Sequence, residues 1–125
     1  MEKLILVGAV NTKIKPDQIH PFADSLKESP PDIVFSASDG PSALLAQILA
    51  QRLLLPFQVV PGFEKQILSN GTRETTSEFR KRLRNSASKL LEGYFDRSVV
   101  LVTGYEVMNK LTIPGIILTH TISLG

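Results

Sequence analysis

Leu4-Ile5-Leu6-Val7-Gly8-Ala9-Val10-Asn11-Thr12 is a run of four consecutive aliphatic residues that passes through two small residues into a polar loop. An aliphatic run without polar alternation fits a strand covered on both faces, the environment found inside a parallel sheet. Ser98-Val99-Val100-Leu101-Val102-Thr103 repeats the pattern near the other end of the chain. Asp32-Ile33-Val34-Phe35-Ser36 and Phe57-Gln58-Val59-Val60 are shorter runs of the same character, and Ile116 to Leu124 closes the series as a final strand.

Helical patterns stand between these runs. Pro16-Asp17 opens the first, with Ile19, Phe22, Ala23 and Leu26 at helical spacing, and Ser29-Pro30-Pro31 ends it. Asp39-Gly40-Pro41 supplies a cap and a first-turn proline for an apolar helix from about Ser42 to Leu54, ended by Pro56. Residues 61–76 lack periodicity and read as a surface loop. Glu78, Phe79, Leu83, Ala87, Leu90, Leu91 and Tyr94 then mark a long amphipathic helix whose other face carries Arg80, Lys81, Arg84 and Lys89. A short helical stretch spans Tyr105 to Leu111. Strands alternating with helices predict an α/β fold, a mainly parallel sheet flanked by helices on both faces, with residues 1–125 as one domain.

Composition narrows the chemistry. The 125 residues suffice for a sizeable core, and there is no cysteine, which excludes disulfides, thiolate metal sites and cysteine nucleophiles. A chain of this kind is expected in the cytoplasm, without a signal peptide and away from membranes, since no apolar run reaches the length of a span. Net charge is +2, yet seven of the 14 Lys and Arg residues fall between Arg73 and Arg97, so the basicity is local.

The first strand and its loop resemble the opening of the histidine phosphatase (phosphoglycerate mutase-like) superfamily, in which an apolar strand runs into Arg-His-Gly-Glu-Thr and the histidine takes up the phosphoryl group. In that register Gly8 stands at the arginine, Ala9 at the nucleophile, and only Thr12 of the pentad is kept. The family's second signature, Asp-x-Val-x-Ser-Ser-Pro-Leu-x-Arg-Ala-x-Gln-Thr-Ala, is similar to residues 32–46. Asp32, Val34, Ser36 and Ala46 match, and Pro41 takes the place of the phosphate-binding arginine. The family's Thr-His-Gly is similar to Thr103-Gly104-Tyr105, with Gly104 at the histidine, and Glu64 is the nearest counterpart of the family acid. The resemblance, which spans roughly Leu4 to Leu111, thus implies a phosphatase frame emptied of its catalytic residues. Phosphoryl transfer to histidine needs an imidazole held in line and cations against the phosphate charge. Gly8, Ala9, Pro41 and Gly104 provide neither.

Other candidates weigh less. His20, in the first helix, and His120, in the last strand, are away from the carboxyl ends of central strands, where ligands approach such sheets. No histidine and carboxylate pattern suggests a metal, and the loop after the first strand lacks both glycine-rich phosphate motifs, so no cofactor is expected. Ser36, Ser38 and Ser42 flank the second helix's amino end, where they serve either as helix caps, the favoured reading, or as anion contacts. Thr12, Ser36, Ser38, Glu64, Thr103 and Tyr105 are the residues that could still touch a ligand in the remodelled pocket; core filling is the simpler role for Tyr105. Arg80, Lys81, Arg82 and Arg84 form either a solvated face or a weak nucleic-acid contact. Interspersed Glu74, Glu78, Glu92 and Asp96, and the absence of interleaved aromatics, favour the solvated face.

The sequence therefore suggests a pseudophosphatase: a non-catalytic domain that binds a protein partner or a small molecule, with self-association as one form of that role. An enzyme of altered hydrolase chemistry in the same pocket is the alternative.

Overall fold

The structure is a computed structural model, and it describes residues 3–9, 16–69, 72–94, 97–111 and 117–122. Strands β1 (Lys3–Ala9), β2 (Ile33–Ser36), β3 (Phe57–Val59), β6 (Ser98–Gly104) and β7 (Ile117–Ile122) form a five-stranded sheet in the order β3-β2-β6-β1-β7. Every pairing in it is parallel. Helices α1 (Pro16–Ser25) and α2 (Gly40–Leu53) cover one face, and α3 (Thr76–Gly93) and α4 (Tyr105–Lys110) cover the other.

The aliphatic runs explain this layering. In a strand, successive side chains point to opposite faces. Ile5 and Val7 of β1, with Val34, Val100 and Val102, pack under α1 and α2, while Leu6, Phe35, Val99 and Leu101 pack under α3 and α4. A strand with both faces covered cannot alternate with polar residues, and β1 and β6 do not. On α2, Leu45, Ala46, Leu49 and Ala50 form the buried stripe, with alanines permitting close approach to the sheet. Phe35 meets the ring of Tyr94 edge to face at 5.0 Å. At the strands' amino ends Asp32 ties β2 to β6: its backbone N–H donates to the Ser98 carbonyl and its carboxylate accepts from the Ser98 N–H.

Two elements differ from the sequence reading. The polar stretch 61–76 contains a small antiparallel pair, β4 (Leu68–Ser69) and β5 (Thr72–Arg73). Strands of two residues are too short to show a period, which is why the pattern gave none. Helix α3 begins at Thr76, two residues before the expected start, because Thr75 and Glu78 cap it reciprocally: the Glu78 N–H donates to Thr75 Oγ1 and the Thr75 N–H to Glu78 Oε1, each at 3.1 Å.

Candidate functional site

In an open parallel sheet the ligand crevice lies outside the carboxyl ends of the strands, where neighbouring strands send their helices to opposite faces. Here β1 and β6 are such neighbours, β1 leading to α1 on one face and β6 to α4 on the other. Their register pairs Gly8 with Thr103 and Ala9 with Gly104. The next strand, β2, ends at Ser36, and Ala37 extends its pairing by donating from its N–H to the Val102 carbonyl at 2.9 Å. Pro41, half-buried, stands in the first turn of α2 just beyond. The topology thus gathers Gly8 and Ala9, Pro41, and Gly104, from three separate stretches of the sequence, at one end of the sheet.

The space beside these positions is not uniform. A side chain at Gly8 would meet the Met108 sulfur 3.0 Å from its Cβ, the Met108 methyl at 3.1 Å and the Tyr105 Cα at 3.4 Å. Met108, on α4 and 5% exposed, therefore occupies the room an arginine at position 8 would enter. At Gly104, itself buried, no described atom lies within 4 Å of an added Cβ. Tyr105, expected to fill the core, is instead exposed at the start of α4, because the buried stripe of that helix falls on Val107 and Met108.

The hydroxyl groups around the crevice are largely committed or unpartnered. Ser36 and Thr103 are fully buried, and each donates to the carbonyl of the residue after it, Ala37 and Gly104 respectively. Ser38 is exposed. Of the cap candidates the sequence offered, Asp39 and not a serine caps the helix: its carboxylate accepts the Ser42 N–H at 3.1 Å. An aspartate already negative at a helix amino end leaves less attraction for another anion there. Ser42 Oγ is buried without a hydrogen-bond partner among the described residues. Thr12 and Val10 lie outside the described residues.

Glu64 is already engaged within its own loop and by α3. Its carboxylate accepts from the Gly62 N–H at 2.9 Å and pairs with Arg82 at 3.2 Å. Arg82 in turn is separated from the other cations of its helix. It binds Glu74 through Nε at 2.8 Å and Nη2 at 3.0 Å, and donates to the carbonyls of Gly62, Glu64 and Lys65. Its guanidinium also lies 5.3 Å from the Phe79 ring centre. All this fixes Gly62, Glu64, Lys65 and Glu74 against α3, so Arg82 is not available as the surface contact expected of it, whereas Arg80, Lys81 and Arg84 are exposed. Sequence reasoning missed this arrangement because a run of cations does not reveal which one finds acceptors within the fold.

His20 is half-buried on α1, and His120 pairs with Val7 in edge strand β7, short of the strand's carboxyl end. Among the described residues no group of His, Asp or Glu is placed to hold a metal ion, and no helix is long and apolar enough to cross a membrane.

No family profile and no curated protein matches the chain. Solved structures do match it. Bacillus stearothermophilus YhfR superposes with a TM-score of 0.67 at 11% identity, over 77% of this chain and 62% of that one. An Escherichia coli protein assigned as an α-ribazole-5'-P phosphatase gives 0.60 at 13% identity, over 84% and 74%. Plasmodium falciparum phosphoglycerate mutase gives 0.50 at 15%, over 84% and 69%. The chain thus spans 62% of the length of YhfR. At these identities the likeness is one of architecture, and the chain has the α/β fold of the histidine phosphatase and phosphoglycerate mutase-like proteins.

Proposed function

We propose that this chain is a non-catalytic histidine-phosphatase-like domain that works by binding. The observation that carries this reading is the meeting of Gly8, Ala9, Pro41 and Gly104 at the carboxyl end of the sheet. In the family resemblance these positions belong to two arginines and two histidines, and here none can accept a phosphoryl group or offset its charge. Met108 beside Gly8 supports it further, because an apolar side chain occupies the room a cation would need.

The alternative of altered hydrolase chemistry draws less support. A nucleophile needs a base within hydrogen-bond reach. The Ser36 and Thr103 hydroxyls each donate to a backbone carbonyl. Glu64 is engaged by Arg82 and Gly62.

The test is a phosphomonoesterase assay run fraction by fraction across a sizing column, together with a thermal-shift screen of phosphate, sugar phosphates, nucleotides and neutral metabolites. The expected outcome is no hydrolysis that tracks the protein. A ligand at a hundred times its dissociation constant adds about 2.7 kcal/mol, enough to move the midpoint of so small a domain by several degrees. Hydrolysis that co-elutes with the protein and disappears on Thr103→Val would overturn the reading.

A further inference from the structure

The outer side of the α3/α4 layer holds a cleft of about 360 Å³ lined by Arg80, Leu83, Arg84, Asn109, Lys110 and Leu111. Leu83 is buried and Leu111 half-buried, so they make an apolar floor, and the four polar residues around it are exposed. Arg80 and Arg84 stand one turn apart on α3, which places both on one face of the helix. Lys110 comes to the same cleft from the last turn of α4.

Arg52 and Arg82 are each bound to carboxylates. Among the described residues Arg80, Arg84 and Lys110, by contrast, make no ion pair or hydrogen bond, and no acidic residue lines the cleft. Like charges one helical turn apart repel, and a third cation facing them adds to the repulsion. An anion seated between them would relieve it, while the Asn109 amide could donate a further hydrogen bond.

We propose that this cleft binds a small polyanion, a molecule with two or three closely spaced phosphoryl or carboxylate groups. The cavity is of the size that holds small ligands, and two guanidinium groups suit planar, forked recognition of either kind of group. A nucleic-acid strand fits less well, because among the described residues no aromatic lines the cleft for base stacking. Gly8, Ala9, Pro41 and Gly104 do not line this cleft, so the proposal is independent of what the crevice at the sheet's carboxyl end does.

The experiment is calorimetric titration of the full chain with inorganic pyrophosphate, with citrate and with a short DNA duplex, at low and high salt. The same titrations follow on R80Q/R84Q and on K81Q. Lys81 is exposed but does not line the cleft, so K81Q tests whether loss of a neighbouring charge outside the cleft matters. The expected result is binding of pyrophosphate or citrate that weakens about tenfold or more in R80Q/R84Q, weakens with salt, and is unchanged in K81Q. Preference for pyrophosphate assigns a phosphoryl ligand, and preference for citrate a carboxylate. The melting temperature of each variant establishes that it is folded. No binding of either anion, or binding equal in the wild type and R80Q/R84Q, overturns the proposal. So does tighter binding of the duplex that falls equally in K81Q and in R80Q/R84Q, which would mark a diffuse nucleic-acid surface.

Discussion

At Gly62 the backbone φ is +98°, and an added Cβ would overlap the Ser86 hydroxyl and stand 2.7 Å from the Ser86 Cβ on α3. Conformation and close approach both require glycine there. Leu54 presents the converse: it closes α2 in the left-handed region with φ 56° and ψ 45°, and its side chain is 90% exposed. Its N–H caps the helix by donating to the Ala50 and Gln51 carbonyls, a role that needs the backbone and not the leucine. Chemical denaturation of the two variants should therefore move in opposite directions. Gly62→Ala is expected to cost about 2 to 3 kcal/mol through strain and overlap. Leu54→Gly should add about 0.5 to 1 kcal/mol, since the penalty for an L-residue in this conformation is removed. A loss of stability in Leu54→Gly would mean that the exposed side chain makes contacts worth more than that strain.

Among the elements, the loop that leads into the hairpin of β4 and β5 is anchored by buried Phe63 and by Arg82. One guanidinium binds both oxygens of Glu74, one oxygen of Glu64 and three backbone carbonyls. Arg82→Met keeps the apolar stem but strands those acceptors, and should cost on the order of 2 kcal/mol with faster amide exchange across residues 62–74. Arg82→Lys should recover only a minor part, because an ammonium cannot span the same fork of acceptors. Full recovery would show that charge alone holds the segment. This dependence was invisible in the cation run 80–84, although the order of the main strands and helices was legible from periodicity at β1, α2, α3 and β6. Weaker local signals were present at the places where the reading fell short: Thr75-Thr76-Ser77-Glu78 has the spacing of a capping box, and Asn70-Gly71 stands between the two short strands as a hairpin dipeptide does. The candidate site was legible as a set of positions, since Gly8, Ala9 and Gly104 end buried strands that could be recognised. That Met108 fills the room beside Gly8 was not, because it depends on how closely α4 packs on β1, which no local pattern encodes.

Across the whole molecule, one ion-pair cluster ties elements on each face of the sheet. Asp24 of α1 binds Arg52 of α2 through both oxygens, at 3.0 and 3.1 Å, with Lys27 at 3.2 Å. Glu74 and Arg82 join the hairpin to α3 on the other face. The Arg52 hydrogen bonds hold the Asp24 carboxyl at about 2 instead of 3.8, and Arg82 likewise lowers Glu74 below its usual 4.5. A carboxylate whose pKa is depressed by folding contributes stability that is complete above its unfolded value and is lost as pH falls through its folded value. The melting temperature should thus be insensitive to these two groups from neutral pH down to about pH 5, then fall steadily as pH drops from about 4 toward 2. Salt should separate the two clusters. Asp24 and Arg52 are well exposed, with side chains 43% and 39% accessible, whereas Glu74 is 11% accessible. Screening acts mainly on the exposed pair. In high salt, Asp24→Asn should therefore melt like the wild type at every pH, while Glu74→Gln should remain less stable at neutral pH and converge with the wild type only in acid. If Glu74→Gln shows no deficit at neutral pH, the hairpin is held by its backbone contacts to Arg82, and acid loss of stability must come from other carboxylates.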